Sequence, residues 1–193
     1  MVIAKIFFDR HSGVLRGALV ALVVLACAAV SAETLKGRVV KVADGDTITV
    51  LASNVQHKVR LSGIDAPEKK QAFGEVSRRH LASLVSGKDV EVEWTKKDKY
   101  GRILGTVWVD VPAPDGKGAV RCDANRSMLY AGLAWHYKRF DSSKAYSDAE
   151  SDARRARLGL WRDPNPVPPE EFRKSGSAVR RKQGSESGRD AKP

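Results

Sequence analysis

The chain has 193 residues, 30% charged and 42% hydrophobic, with a formal net charge of +11 and two cysteines. That length holds one domain with appendages. The charge is uneven: residues 1–32 carry +2, residues 173–193 carry +5 and the body between them only +4. Bulk charge by itself therefore does not establish a polyanion partner.

Residues 1–32 read as a removable signal peptide. Lys5, Arg10 and Arg16 give a basic start, Gly17 to Ala29 is an apolar or small-residue run, and Val30-Ser31-Ala32 fits a cleavage site. Two alternatives stay open. One is an uncleaved anchor, for which the run is short against the roughly 20 apolar residues of a span. The other is lipidation at Cys27. Each exports the domain, so a secreted or periplasmic location is expected, with no membrane span once the leader is cleaved. Loss of Cys27 leaves Cys122 alone and excludes an internal disulfide. Cys122 reads as a packing residue, since no Cys/His signature surrounds it.

The body, residues 33–162, begins with strands over Leu35 to Val42 and Thr47 to Leu51, around the turn signal Asp44-Gly45. A third strand is predicted over Val55 to Ile64, with Val59 and Leu61 on one face and Arg60 and Ser62 on the other. A helix follows over about Ala72 to Leu84, its apolar stripe drawn through Phe73, Val76, His80 and Leu84. Alternation predicts strands over Asp89 to Trp94 and Ile103 to Val109. Asp123 is placed to cap a short helix through Leu129. A longer helix, about Ser143 to Leu158, lines up Tyr146, Ala149, Ala153 and Ala156 and stops at Gly159. Residues 163–193 are Pro-, Ser- and charge-rich and read as a disordered basic tail, an electrostatic tether with no part in any chemistry. The element order alone gives α+β with a barrel possible.

The chemistry concentrates at strand ends: Asp44-Gly45-Asp46-Thr47, then Arg60-Leu61-Ser62-Gly63-Ile64-Asp65-Ala66-Pro67-Glu68, then Asp98-Lys99-Tyr100-Gly101-Arg102. Taken singly these are ordinary. Asp-Gly turns are common, Asp65 stands at a strand exit before Ala66-Pro67, and Glu68 opens a lysine-containing loop. Taken jointly, carboxylates suit a hard cation, arginines suit a phosphate, and a spare glutamate can act on water. The four histidines, His11, His57, His80 and His136, lack metal-ligand spacing, so zinc is not expected.

In this order the three motifs resemble those of the thermonuclease family, the relatives of micrococcal (staphylococcal) nuclease, over about Leu35 to Trp161. The resemblance implies a five-stranded OB-fold β-barrel with about three packed helices, of the kind that binds nucleic acid on one strand face and its loops. It implies Ca2+ held by Asp46, Asp65 and the backbone carbonyl of Ala66, where many relatives carry threonine. It makes Glu68 the base, Arg60 and Arg102 the phosphate-gripping arginines, and Lys99 and Tyr100 substrate contacts. DNA and RNA are the implied substrates, and a monomer without a stable protein partner is expected. A non-catalytic nucleic-acid-binding barrel is the rival reading; such modules usually lose part of the carboxylate–arginine set, which this chain keeps. Two departures stand out. The loop after Glu68 is short, and residues 111–118 are inserted after the fifth strand. The base-stacking tyrosines of the family have no clear match, with Trp135, Tyr137 and Phe140 nearby.

Overall fold

The first six strands are β1 (Glu33–Val42), β2 (Thr47–Ala52), β3 (Val55–Leu61), the two-residue β4 (Ile64–Asp65), β5 (Asp89–Lys97) and β6 (Ile103–Pro112); β6 alternates buried with more open residues, whereas β2 buries its first four in succession. The structure, a computed structural model, describes residues 33–176; the leader with Cys27 and the tail beyond 176 lie outside the described residues. The strands run in the order β3-β2-β1-β5-β6, and a parallel pairing of β3 with β6 closes them into a five-stranded barrel. Period-2 alternation turns Val39, Ile48, Val50, Val59, Leu61, Val92 and Val107 inward, each at most 2% exposed. Around the barrel lie α1 (Gly74–Val85), α2 (Ala124–Tyr130), α3 (Lys144–Arg155) and α4 over residues 169–176, with a 3-10 turn at Gly159–Arg162. The α+β barrel expected from the resemblance is the fold observed. Among the described residues no helix is long and apolar enough to cross a membrane.

Several sequence expectations are corrected here. The third strand does not run unbroken to Ile64: Gly63, at φ 73°, turns the chain after Leu61. Beyond that turn β4 pairs with a short β8 (Trp135–His136). The buried face of α1 is Gly74, Ser77, Leu81 and Val85, while Val76 is exposed. The predicted stripe lay next to this face because Ser77 reads as polar, yet its hydroxyl donates to the Leu133 carbonyl at 2.8 Å and so tolerates burial. Of the inserted residues 111–118, Val111 and Pro112 extend β6 and residues 113–118 form a hairpin tip, after which the chain returns as β7 (Ala119–Asp123), paired antiparallel with β6. Asp123 does cap α2, accepting from the Arg126 amide. Ala156 caps α3 and is exposed, leaving Tyr146, Ala149 and Ala153 buried.

Residues 163–176 were expected to lack structure along with the rest of the tail. They instead run through bends into α4. Gln71 donates to the Val167 carbonyl at 2.6 Å, Pro169 is buried, and Phe172 lies against a wall that includes Phe73, Trp135 and Leu160. Apolar anchors spaced along a charged stretch are enough to seat it.

Asn125 stitches the barrel end that matters most. Wholly buried, it accepts from the Val107 amide and donates to the Ser62 and Gly105 carbonyls. A buried amide stays inside only when its capacity is used in this way. The bonds hold the Ser62–Gly63 turn against β6.

Candidate active site

Two strand registers bring the charged residues together. In the β2–β3 ladder Thr47 lies opposite Arg60, so Asp46 is at the end of the strand beside that arginine. In the β3–β6 ladder Arg60 lies opposite Leu104, close to the loop that carries Arg102. One Arg60 nitrogen, Nη2, donates to Asp65 Oδ1 at 2.7 Å and stands 3.0 Å from Asp46 Oδ2. Burial opposes the charge on Arg60, and the two carboxylates more than offset it, raising its proton affinity.

Asp46 is further held by the Thr47 hydroxyl at 2.9 Å and the Ala66 amide at 3.2 Å. Its neighbours do not fully offset its desolvation. Burial pushes its carboxyl up to about 7, against the pull of the Arg60 guanidinium, with Asp44 and Asp65 adding like charge.

Glu68 sits where the chain leaves Pro67 for α1. The Glu68 carbonyl accepts from the Gln71 amide at 2.8 Å, and the Gln71 side chain returns a bond to the Glu68 amide at 3.1 Å. The loop then closes tightly: Phe73 takes φ 64°, and a Cβ on Gly74 would lie 2.1 Å from the Glu68 carbonyl oxygen. Only glycine permits this approach, which sets how far the Glu68 loop folds back on the helix.

Arg102 is positioned within its own loop. Asp98 Oδ2 accepts from Arg102 Nε and Nη2, both at 2.7 Å, and Oδ1 accepts from the Tyr100 and Arg102 amides. Partial burial works against ionised Asp98, and the bonds from Arg102 outweigh it, lowering the Asp98 pKa. Tyr100 is 72% exposed, its ring flanked by Lys99 and Arg102 at 5.0 and 5.5 Å.

These residues border one cleft of about 880 Å³. Arg60 and Glu68 are on its wall with Lys99, Tyr100 and Arg102, while Asp46 and Asp65 are buried behind them, joined through Arg60. Tyr137 and Phe140 also face the cleft and contact each other edge to face at 4.8 Å. Trp135 does not; it packs on Trp161.

Three residues at the site had no role in the sequence reading. Asp98 lay inside a quoted motif, and its four-residue spacing from Arg102 was the available signal. Gln71 gave none. Arg173 spans two carboxylates: Nη1 donates to Glu68 Oε1 at 2.7 Å and to Asp65 Oδ1 at 3.3 Å, and Nη2 donates to Asp65 Oδ2 at 2.9 Å.

The donor set fits a hard cation. Asp46 and Asp65 bring carboxyl oxygens together in a buried position beside the Ala66 backbone, and burial of Asp46 outweighs the stabilisation its charge receives from its present neighbours. Among the described residues no group of three or more His, Cys, Asp or Glu is arranged to hold a metal alone. A cation would thus complete its shell with carbonyl and water oxygens, as calcium does readily.

A small closed barrel with carboxylates and guanidinium groups converging on one cleft defines a class that acts on phosphate esters. The model of the staphylococcal nuclease homologue family matches residues 58–163, more than half of the chain. An "uncharacterized endonuclease" of Escherichia coli is 44% identical over 135 residues, 70% of this chain and 82% of that protein. "Protein ParB" of Escherichia coli is 42% identical over 171 residues, 87% of this chain and 96% of its own. A "micrococcal nuclease" of Shigella flexneri is 39% identical over 160 residues, 82% and 91% of the two chains. The chain belongs to the staphylococcal nuclease homologue family, a family of nucleases.

Proposed function

We propose that this protein is an exported, calcium-dependent endonuclease that hydrolyses DNA and RNA with little sequence preference. The observation that carries the reading is the convergence of buried carboxylates, guanidinium groups and the more exposed Glu68 on one cleft. Asp46, Asp65 and the Ala66 carbonyl would hold the calcium ion. When bound, it supplies positive charge that polarises the phosphate. Export rests on the leader-like residues 1–32.

Glu68 accepts a proton from a water as the water oxygen attacks phosphorus in line. Arg60 and Arg102 donate to the phosphate oxygens as negative charge builds on them, through planar forks that remain charged at any working pH. The bond from phosphorus to the 5′-oxygen breaks, and that oxygen takes up a proton with assistance from Arg102. The family resemblance implies 3′-phosphate products. Lys99 and Tyr100 contact the substrate backbone at the rim. Affinity drawn from phosphate contacts and stacking gives little sequence discrimination. The protein acts as a monomer.

Digestion of plasmid DNA and RNA with calcium, with magnesium and with chelator tests the reading. Cleavage is expected with calcium, little with magnesium, which demands a stricter octahedral shell, and none with chelator. Equal rates with magnesium alone overturn the calcium site. Binding without turnover under calcium supports the non-catalytic barrel instead.

A further inference from the structure

The segment that reaches furthest back into the site is the one the chemistry does not use. Arg173, on α4, lays both ends of its guanidinium on Asp65 and its Nη1 also on Glu68, the carboxylates proposed to bind the cation and to activate water. Asp65 Oδ1 then accepts from both Arg60 and Arg173, and Asp65 Oδ2 accepts from Arg173. A cation approaching that carboxylate from the side of Arg173 meets positive charge and occupied lone pairs.

The contact is built rather than incidental. Gln71 holds the Val167 carbonyl at 2.6 Å with one end of its amide and the Glu68 amide with the other, so it ties the strap to the Glu68 loop. Phe172 lines one small cavity with Phe73 and Leu160, and Pro169 is buried, one turn before the residue that reaches the carboxylates. Arg173 is 38% exposed, and Glu68 40%, so the pair stands at the mouth of the site and can separate without unfolding the barrel.

We infer that residues 163–176 form a latch whose Arg173 takes the place of the cation on Asp65 and pairs with the base Glu68, so that cation binding and latch docking exclude each other. The inference rests on the calcium reading above. It makes the protein self-restrained: where the divalent cation is scarce, the latch occupies the carboxylates and engages Glu68. Where the cation is plentiful, the latch is displaced and both groups are released together.

The test is calorimetric calcium titration of the full chain beside Arg173→Gln and Phe172→Ala. With the latch docked about nine-tenths of the time, its removal should tighten calcium binding about tenfold, because apparent affinity scales with the competent fraction. Phe172→Ala, which keeps the guanidinium but loosens its seat, should move in the same direction by less. Hydrogen exchange of residues 163–176 in the wild-type chain supplies the second readout: slow amides in chelator should become fast at saturating calcium. Equal or weaker calcium affinity in Arg173→Gln overturns the latch and leaves the metal reading standing, as does exchange that calcium leaves unchanged. Failure of both wild type and Arg173→Gln to bind calcium overturns the metal reading and the latch with it.

Discussion

The two arginines of the proposed site that line the cleft are held by different means. Arg60 grows from a barrel strand and spends its donors on two carboxylates whose side chains are 6% and 5% exposed, brought to it by the β2–β3 ladder and the Gly63 turn. Arg102 grows from a loop and is held by Asp98, four residues earlier in the same loop, with both side chains partly open to water. One guanidinium is a structural member of the fold that also lines the cleft. The other, about as exposed as the first, is tied within its own loop to a carboxylate that water reaches more readily. The difference teaches that two guanidinium groups at one cleft can be coupled to the stability of the fold to different degrees.

The sharpest way to break this comparison is to truncate each arginine. Arg60→Ala takes the neighbouring guanidinium from buried Asp46 and leaves Asp65 to Arg173, and it should cost on the order of 3 kcal/mol of stability, besides abolishing measurable cleavage. Arg102→Ala should lose on the order of a hundredfold or more in kcat while the melting temperature barely moves. Equal melting temperatures in calorimetry would dissolve the distinction. Next in size is Glu68→Gln, which keeps the shape of the loop but removes the base. A fall of about a hundredfold in kcat with little change in oligonucleotide affinity is expected from single-turnover assays. Near-normal turnover would remove Glu68 from the reaction.

Smaller effects sharpen the loop side. Asp98→Asn keeps an acceptor but weakens the fork that orients Arg102, so kcat should fall by about tenfold with stability intact; combined with Arg102→Ala it should add almost nothing, since the two act as a unit. Tyr100→Ala removes an exposed ring and should raise KM only about two- to fivefold, leaving kcat alone. A large kcat loss there would place Tyr100 nearer the reacting phosphate than the rim.

What was legible in the sequence follows the same divide. Short-range features could be read: the alternation of β5 and β6, the Asp123 cap, and the strand-end motifs that carry Asp46, Arg60, Asp65, Glu68 and Arg102. Each is written in residues close enough for turn chemistry or periodicity to act. The face of α1 was misplaced because burial of Ser77 depends on a carbonyl 56 residues away. The return strand β7 was hidden by the Pro- and Gly-rich tip that precedes it. Arg173 was least legible, since its carboxylate partners are 105 and 108 residues distant and its neighbours are charged. The surviving clue was the cluster Pro166-Val167-Pro168-Pro169 followed by Phe172, too apolar for a purely solvated tail.

The parallel seam between β3 and β6 is only three residue pairs long, Val59 with Ile103, Arg60 with Leu104, and Leu61 with Gly105. Yet it is what joins the wall bearing Arg60 to the loop bearing Arg102. Such non-local pairing is slow to form, because a long stretch of chain must be ordered before it is rewarded. Arg60 and Arg102 therefore come to share one cleft only when the barrel has closed.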